Sequence, residues 1–144
     1  MKLGLISCTK SKQTYPCPAG EMYQPSALFR KAYSYARKHY DQIGILSAKY
    51  GFLLPDEKIE PYDLTLKNMG VRAKREWAQR VMRQIEEKLD IDEIDSVYIH
   101  AGKDYREYLV PLLKGRASVY VPLKGLSFGQ QLQWYDKHCC SDSE

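Results

Sequence analysis

No apolar run in this sequence approaches the ~20 residues that a membrane-spanning helix needs, so no membrane partner is expected. The opening Met1-Lys2-Leu3-Gly4 lacks the long apolar stretch of a secretory signal, and a cytoplasmic protein is expected. Cysteine is sparse: Cys8, Cys17, Cys139 and Cys140 are the only four in 144 residues. Without an export signal they read as thiols, not as a disulfide scaffold. Their spacing, even with His138 added, matches no common zinc pattern, so no metal is expected. Glycine never gathers into GxGxxG, which argues against a dinucleotide oxidoreductase, and no GxxxxGK Walker loop is present. Nothing in the chain calls for a cofactor. No Ser-His-acid triad is recognisable from local context. The charge balance has no strong sign either. With 22 basic and 18 acidic side chains the net charge of +4 tolerates an anionic partner without demanding one.

What is present is a regular alternation of apolar runs and amphipathic stretches. Residues 3–6 read as a first strand, and 43–46, Ile-Gly-Ile-Leu, as a second with the β-branched character of a buried parallel strand. Residues 97–99 and 117–121 read as strands three and four. Ser26, after Pro25, is placed to cap a helix. Trp77, Val81, Ile85 and Leu89 recur four apart and predict a helix over 71–89. Asp104 with Glu107, and Ser127 with Gln130, have capping-box spacing ahead of two further helices, the first shortened or kinked by Pro111. The resulting β-α-β-α-β-α-β-α order predicts a single α/β domain over residues 1–140. Its expected form is a three-layer sandwich around a mainly parallel, Rossmann-like four-stranded sheet. Residues 141–144 read as a frayed tail. Gly4 and Gly44, inside strands, are expected where another element approaches closely.

In a parallel sheet the strands end at one edge, and ligands sit there near the point where strand order reverses. Four polar segments converge on that edge: 7–12, 47–50, 100–106 and 122–125. Ser7, Cys8, Thr9, Lys10 and Lys12 could wrap an anion with amides, hydroxyls and ammonium charge. Lys49 and Lys10 are candidate catalytic amines. Tyr50 follows Lys49 directly. Asp63, beside Tyr62 on a long loop marked by Pro55 and Pro61, is the candidate acid–base or water-positioning carboxylate. His100, Gly102, Tyr105 and Arg106 supply an imidazole, a stacking ring and a planar cation for a phosphate or a base. Gly125 and Gln130 flank the last helix cap, where an amide could read a base edge. Each residue also has a plain structural reading: a wet lysine, a turn aspartate, a core histidine, a cap glutamine.

The segments SCTKSK, LSAKYGFLLPDEKIEPYDLTL, HAGKDYREYLVPLL and PLKGLSFGQQLQWY together resemble an uncharacterised family of small bacterial and phage proteins, over nearly the whole chain. A more distant likeness pairs the lysines of the first segment with the SAKYG strand end. It is similar to the lysine-bearing domain of archaeosine synthases and to the YaaA peroxide-stress family. Those resemblances imply a base in transfer RNA, or DNA, as the target, with Lys10 or Lys12 and Lys49 as the residues to watch. The helix-hairpin-helix DNA element of the YaaA family has no clear counterpart here, which argues against duplex DNA.

The expected function is therefore an enzyme acting on a nucleobase, a nucleotide or nucleic acid, by N-glycosidic cleavage or base modification. The alternative is a non-catalytic nucleotide or nucleic-acid binding protein, and a homo-oligomer is compatible with either.

Overall fold

The computed structural model describes residues 1–140, with side chains through His138. The chain opens with β1 (Lys2–Ser7), a two-residue β2 (Cys17–Pro18), a single-turn α1 (Ala19–Met22) and α2 (Ala27–His39). Then come β3 (Gln42–Ser47), β4 (Gly51–Leu53) and the short β5 (Lys58–Ile59). The second half holds α3 (Val71–Lys88), β6 (Ser96–His100), α4 (Lys103–Arg106), α5 (Leu109–Lys114), β7 (Ser118–Tyr120) and α6 (Phe128–Cys140).

One sheet runs in the order β4-β3-β1-β6-β7. β1 pairs in parallel with β3 and β6, and β6 with β7. The expected parallel strands are all present. The expected total of four is corrected to five, because β4 adds an antiparallel edge beside β3. The reversal between them needs Gly51 at φ 80°, a left-handed conformation that side chains disfavour. The edge is then covered by α3: Phe52 N donates to Gln84 Oε1 at 2.7 Å, and Lys88 Nζ donates to Phe52 O at 2.8 Å. Side chains that occupy an edge strand's backbone groups also block pairing with another chain.

Alternation along the strands divides the core. Leu3, Leu5, Leu46 and Val97 face Trp77, Val81, Ile85, Leu109 and Leu113 of α3 and α5. Ile6, Ile43 and Ile45 face Phe29, Ala32, Ala36 and Tyr135 of α2 and α6. Both strand glycines lie under a ring. A Cβ on Gly4 would fall inside Tyr40, and one on Gly44 inside Phe52. The result is an α/β sandwich whose mixed, mostly parallel sheet carries helices on both faces.

Two of the three expected caps form. Phe29 N donates to Ser26 Oγ at 3.2 Å, and Ser127 and Gln130 close a reciprocal box at 2.9 and 3.3 Å. The third does not. α4 starts after Gly102, two residues too early for Asp104 to cap it, and Asp104 instead accepts from Lys74 Nζ at 2.8 Å. That pair and the Arg72–Glu76 pair give two of the cations at the start of α3 a carboxylate partner. Pro111 lies within α5, which is only six residues long. The expected tail, 141–144, lies outside the described residues.

Candidate functional site at the carboxyl edge

From β1 the chain moves to β3 on one side and later crosses to β6 on the other. The ends of β1 and β6 therefore part at the switch point, where α/β sheets hold ligands. A cavity of about 390 Å³ opens there, within the range of small-molecule sites. Cys8, Thr9, Lys10 and Lys12 wall it from the end of β1. Asp63, Thr65 and Lys67 wall it from the long loop, and Tyr105 of α4 closes the side.

Each wall has a structural anchor. Cys8 N donates to Leu46 O at 2.8 Å, carrying the sheet pairing one residue beyond the strand. Thr9 Oγ1 donates to Ser11 O at 3.2 Å, and Lys12 Nζ to Lys10 O at 3.3 Å, which folds the lysine segment back on itself. Lys12 Nζ also sits 4.7 Å from the centre of the Tyr62 ring, a cation–π contact. The loop is pinned from below. Ser47 Oγ donates to Tyr62 Oη at 2.8 Å, the Tyr62 and Tyr23 hydroxyls lie 2.6 Å apart, and Trp77 Nε1 donates to Ser47 O at 2.9 Å. Tyr62 is thereby held inward while Asp63, the next residue, remains exposed at the cavity. Beyond it Thr65 Oγ1 accepts from Lys67 N at 3.2 Å and starts a one-turn 3-10 helix. Leu66 of that turn is buried, and its N–H donates to Tyr105 Oη at 3.4 Å. Cys8 Sγ donates to the same hydroxyl at 3.4 Å.

Burial sets the electrostatics of the phenols. It pushes Tyr105 up to about 12, with the neighbouring Cys8 adding to the shift. Burial also pushes Tyr62 and Tyr23 well above the ordinary range. All three are neutral hydroxyls at physiological pH. The formal charges of the cavity wall are therefore those of three lysines and one carboxylate.

The structure brings Cys8, Thr9, Lys10, Lys12, Asp63 and Tyr105 together and separates the rest. Ser7 ends β1 outside the cavity lining. Lys49 belongs to a neighbouring depression with Arg80 and Arg83, beyond Leu64, and its Nζ lies 5.3 Å from the Tyr50 ring centre. Tyr50 Oη ties the loop shut, donating to Glu60 O at 3.4 Å and accepting from Glu60 N at 3.3 Å. His100 is buried among hydroxyls: Nε2 is 2.6 Å from Tyr40 Oη and Nδ1 is 2.7 Å from Tyr135 Oη. Burial lowers it to about 4, so it is neutral at physiological pH. Gly102, Arg106, Gly125 and Gln130 line a second cavity of about 460 Å³, on the far side of α4.

Thr65 and Lys67 escaped sequence reasoning. The signal for them was Thr65 just before Leu66-Lys67, a hydroxyl placed to start a turn. Among the described residues no three His, Cys, Asp or Glu side chains gather as a metal site requires, and none of the helices is long and apolar enough to cross a membrane.

By its sequence, and not by the geometry of this site, the chain falls in a known family. It belongs to the family of unknown function DUF6884, whose model matches residues 3–137. It is 29% identical over 137 residues to the uncharacterized protein YfjM of Bacillus subtilis (strain 168), a match covering 88% of this chain and 89% of that protein. No solved structure matches it significantly.

Proposed function

We propose that the chain is an enzyme acting on a nucleotide or a nucleotide unit, and that it hydrolyses an N-glycosidic bond. The observation that carries this reading is Asp63: one carboxylate facing three lysines and the Tyr105 ring in a single cavity at the switch point. Lysines suit a phosphate as point charges. Tyr105 offers a ring edge to a base or sugar. Asp63 stands where it can orient water and offset the positive charge that develops on the sugar. A Rossmann-like arrangement, with the ligand at the carboxyl ends of parallel strands, supports the same placement.

In this reading Lys12 and Lys67 hold the phosphate. Water attacks the anomeric carbon and yields its proton to Asp63. The C–N bond breaks and its electron pair leaves with the base, which takes a proton from Lys10. Lys49, in its own depression, has no part in this step.

The experiment is to incubate the protein with nucleosides, nucleoside monophosphates, transfer RNA and single-stranded DNA, then weigh every product by mass spectrometry. Release of a free base supports the reading. The second reading, a binding protein without turnover, draws on the exposure of Asp63 to solvent. It predicts salt-sensitive binding with every ligand intact.

A further inference from the structure

We infer that the second cavity is a separate phosphate-binding site and that the substrate is a single-stranded nucleic acid, not a free nucleotide. This rests on the reading of the first cavity as a nucleotide site. The second cavity, about 460 Å³, is lined by Lys103, Arg106 and Lys124 and by no acidic side chain. Lys103 shares its charge with Glu107 at 3.5 Å. Arg106 makes no ion pair among the described residues, and its Nε is buried with no hydrogen-bond partner. Its guanidinium charge is therefore unpaired where the side chain lines the cavity. Lys124 is exposed at the rim beside Gly125, whose φ of 84° lets the chain turn around the opening.

The floor carries no charge to compete. His100 lies there with Nδ1 held by Tyr135. At the far wall, Gln130 Oε1 is occupied by Ser127 N, and Gln131 Nε2 by Leu126 O. Each amide keeps its other end for a base edge. The two cavities flank one short helix: Tyr105 lines the first, and Arg106, the next residue, lines the second and, with Lys124, an adjoining depression that also holds Glu107. Sites this close suit neighbouring units of one strand, the reacting nucleotide in the first cavity and the adjoining phosphate and base in the second. A free mononucleotide would leave the second empty.

The test compares binding of a nucleoside monophosphate with binding of single-stranded DNA and RNA oligonucleotides of the same base, at two or more salt concentrations. The wild type binds an oligonucleotide at least tenfold more tightly than the mononucleotide. Lys124→Glu brings that ratio to about one and flattens the salt dependence, by about 0.7 in slope for each phosphate no longer neutralised. Arg106→Gln does the same; Lys124, being exposed, guards against a folding artefact at Arg106, and circular dichroism checks both. Mononucleotide binding with no oligonucleotide gain, or an equal loss of both in Lys124→Glu, overturns the second site and leaves the first reading standing. Binding of neither overturns both.

Discussion

The hydroxyls of Tyr23 and Tyr62 lie 2.6 Å apart beneath the loop that carries Asp63. Ser47, fully buried, donates to the same Tyr62 oxygen, and its own Oγ accepts from Tyr50 N at 3.0 Å. Tyr62→Phe strips both neighbours of a partner and is expected to cost about 1–3 kcal/mol. Ser47→Ala also orphans the Tyr50 amide and is expected to cost at least as much. Urea unfolding monitored by fluorescence measures both, and an unchanged midpoint for either variant would contradict the network.

The strand glycines make a different prediction. Gly4→Ala and Gly44→Ala each drive a methyl into an aromatic ring already in place, Tyr40 and Phe52 respectively. Overpacking of this kind costs about 1–3 kcal/mol. Gly70→Ala, where a methyl meets open space, serves as the control and is expected to stay within about 0.5 kcal/mol. Thermal or urea midpoints of the three variants decide it.

His100 predicts a pH dependence with a definite sign. Its folded value is lowered to about 4 by burial, against an unfolded value near 6.5. Between those values the unfolded chain binds the extra proton, so stability rises with pH. The contribution is fully present above about pH 6.5 and is lost as the pH falls toward and through 4. It amounts to about 3 kcal/mol between pH 7 and pH 4. His100→Gln is expected to remove that slope. Unfolding free energies across the range, for wild type and variant, measure it; parallel curves would contradict it.

Lys12→Ala and Lys67→Ala address the anion. Each is expected to weaken nucleoside monophosphate binding by roughly tenfold to a hundredfold, the scale of a hydrogen bond to a charged group at about 1.5–3 kcal/mol. Lys49→Ala, whose side chain belongs to the neighbouring depression, is expected to leave that affinity unchanged. Calorimetric titration separates them.

Much of this architecture was legible in the chain. Residues 43–46 are short, apolar and β-branched, and Trp77, Val81 and Ile85 repeat at one helical face, so strand and helix announced themselves. β4 did not, because three residues carry too little pattern, and its pairing depends on Gly51 and on Gln84 far along the chain. The site was legible as a set of strand ends, since parallel topology brings them to one edge. How that edge divides was not. Lys49 and Arg106 follow strands just as Lys10 does, yet loop packing around Leu64 and the placement of α4 send them to other cavities. His100 looked chemical by position, and only the tertiary fold supplies the two tyrosines that occupy its nitrogens.

The most direct measurement is single-turnover mass spectrometry on the nucleotide and nucleic-acid panel, run side by side for wild type and Asp63→Asn. Asp63 is exposed, so the substitution is expected to leave stability within about 0.5 kcal/mol and ligand binding intact. The expected result is a free base released by the wild type, with release lost in the variant. Ligands bound yet unaltered by the wild type, or equal release by both proteins, would contradict the role assigned to Asp63.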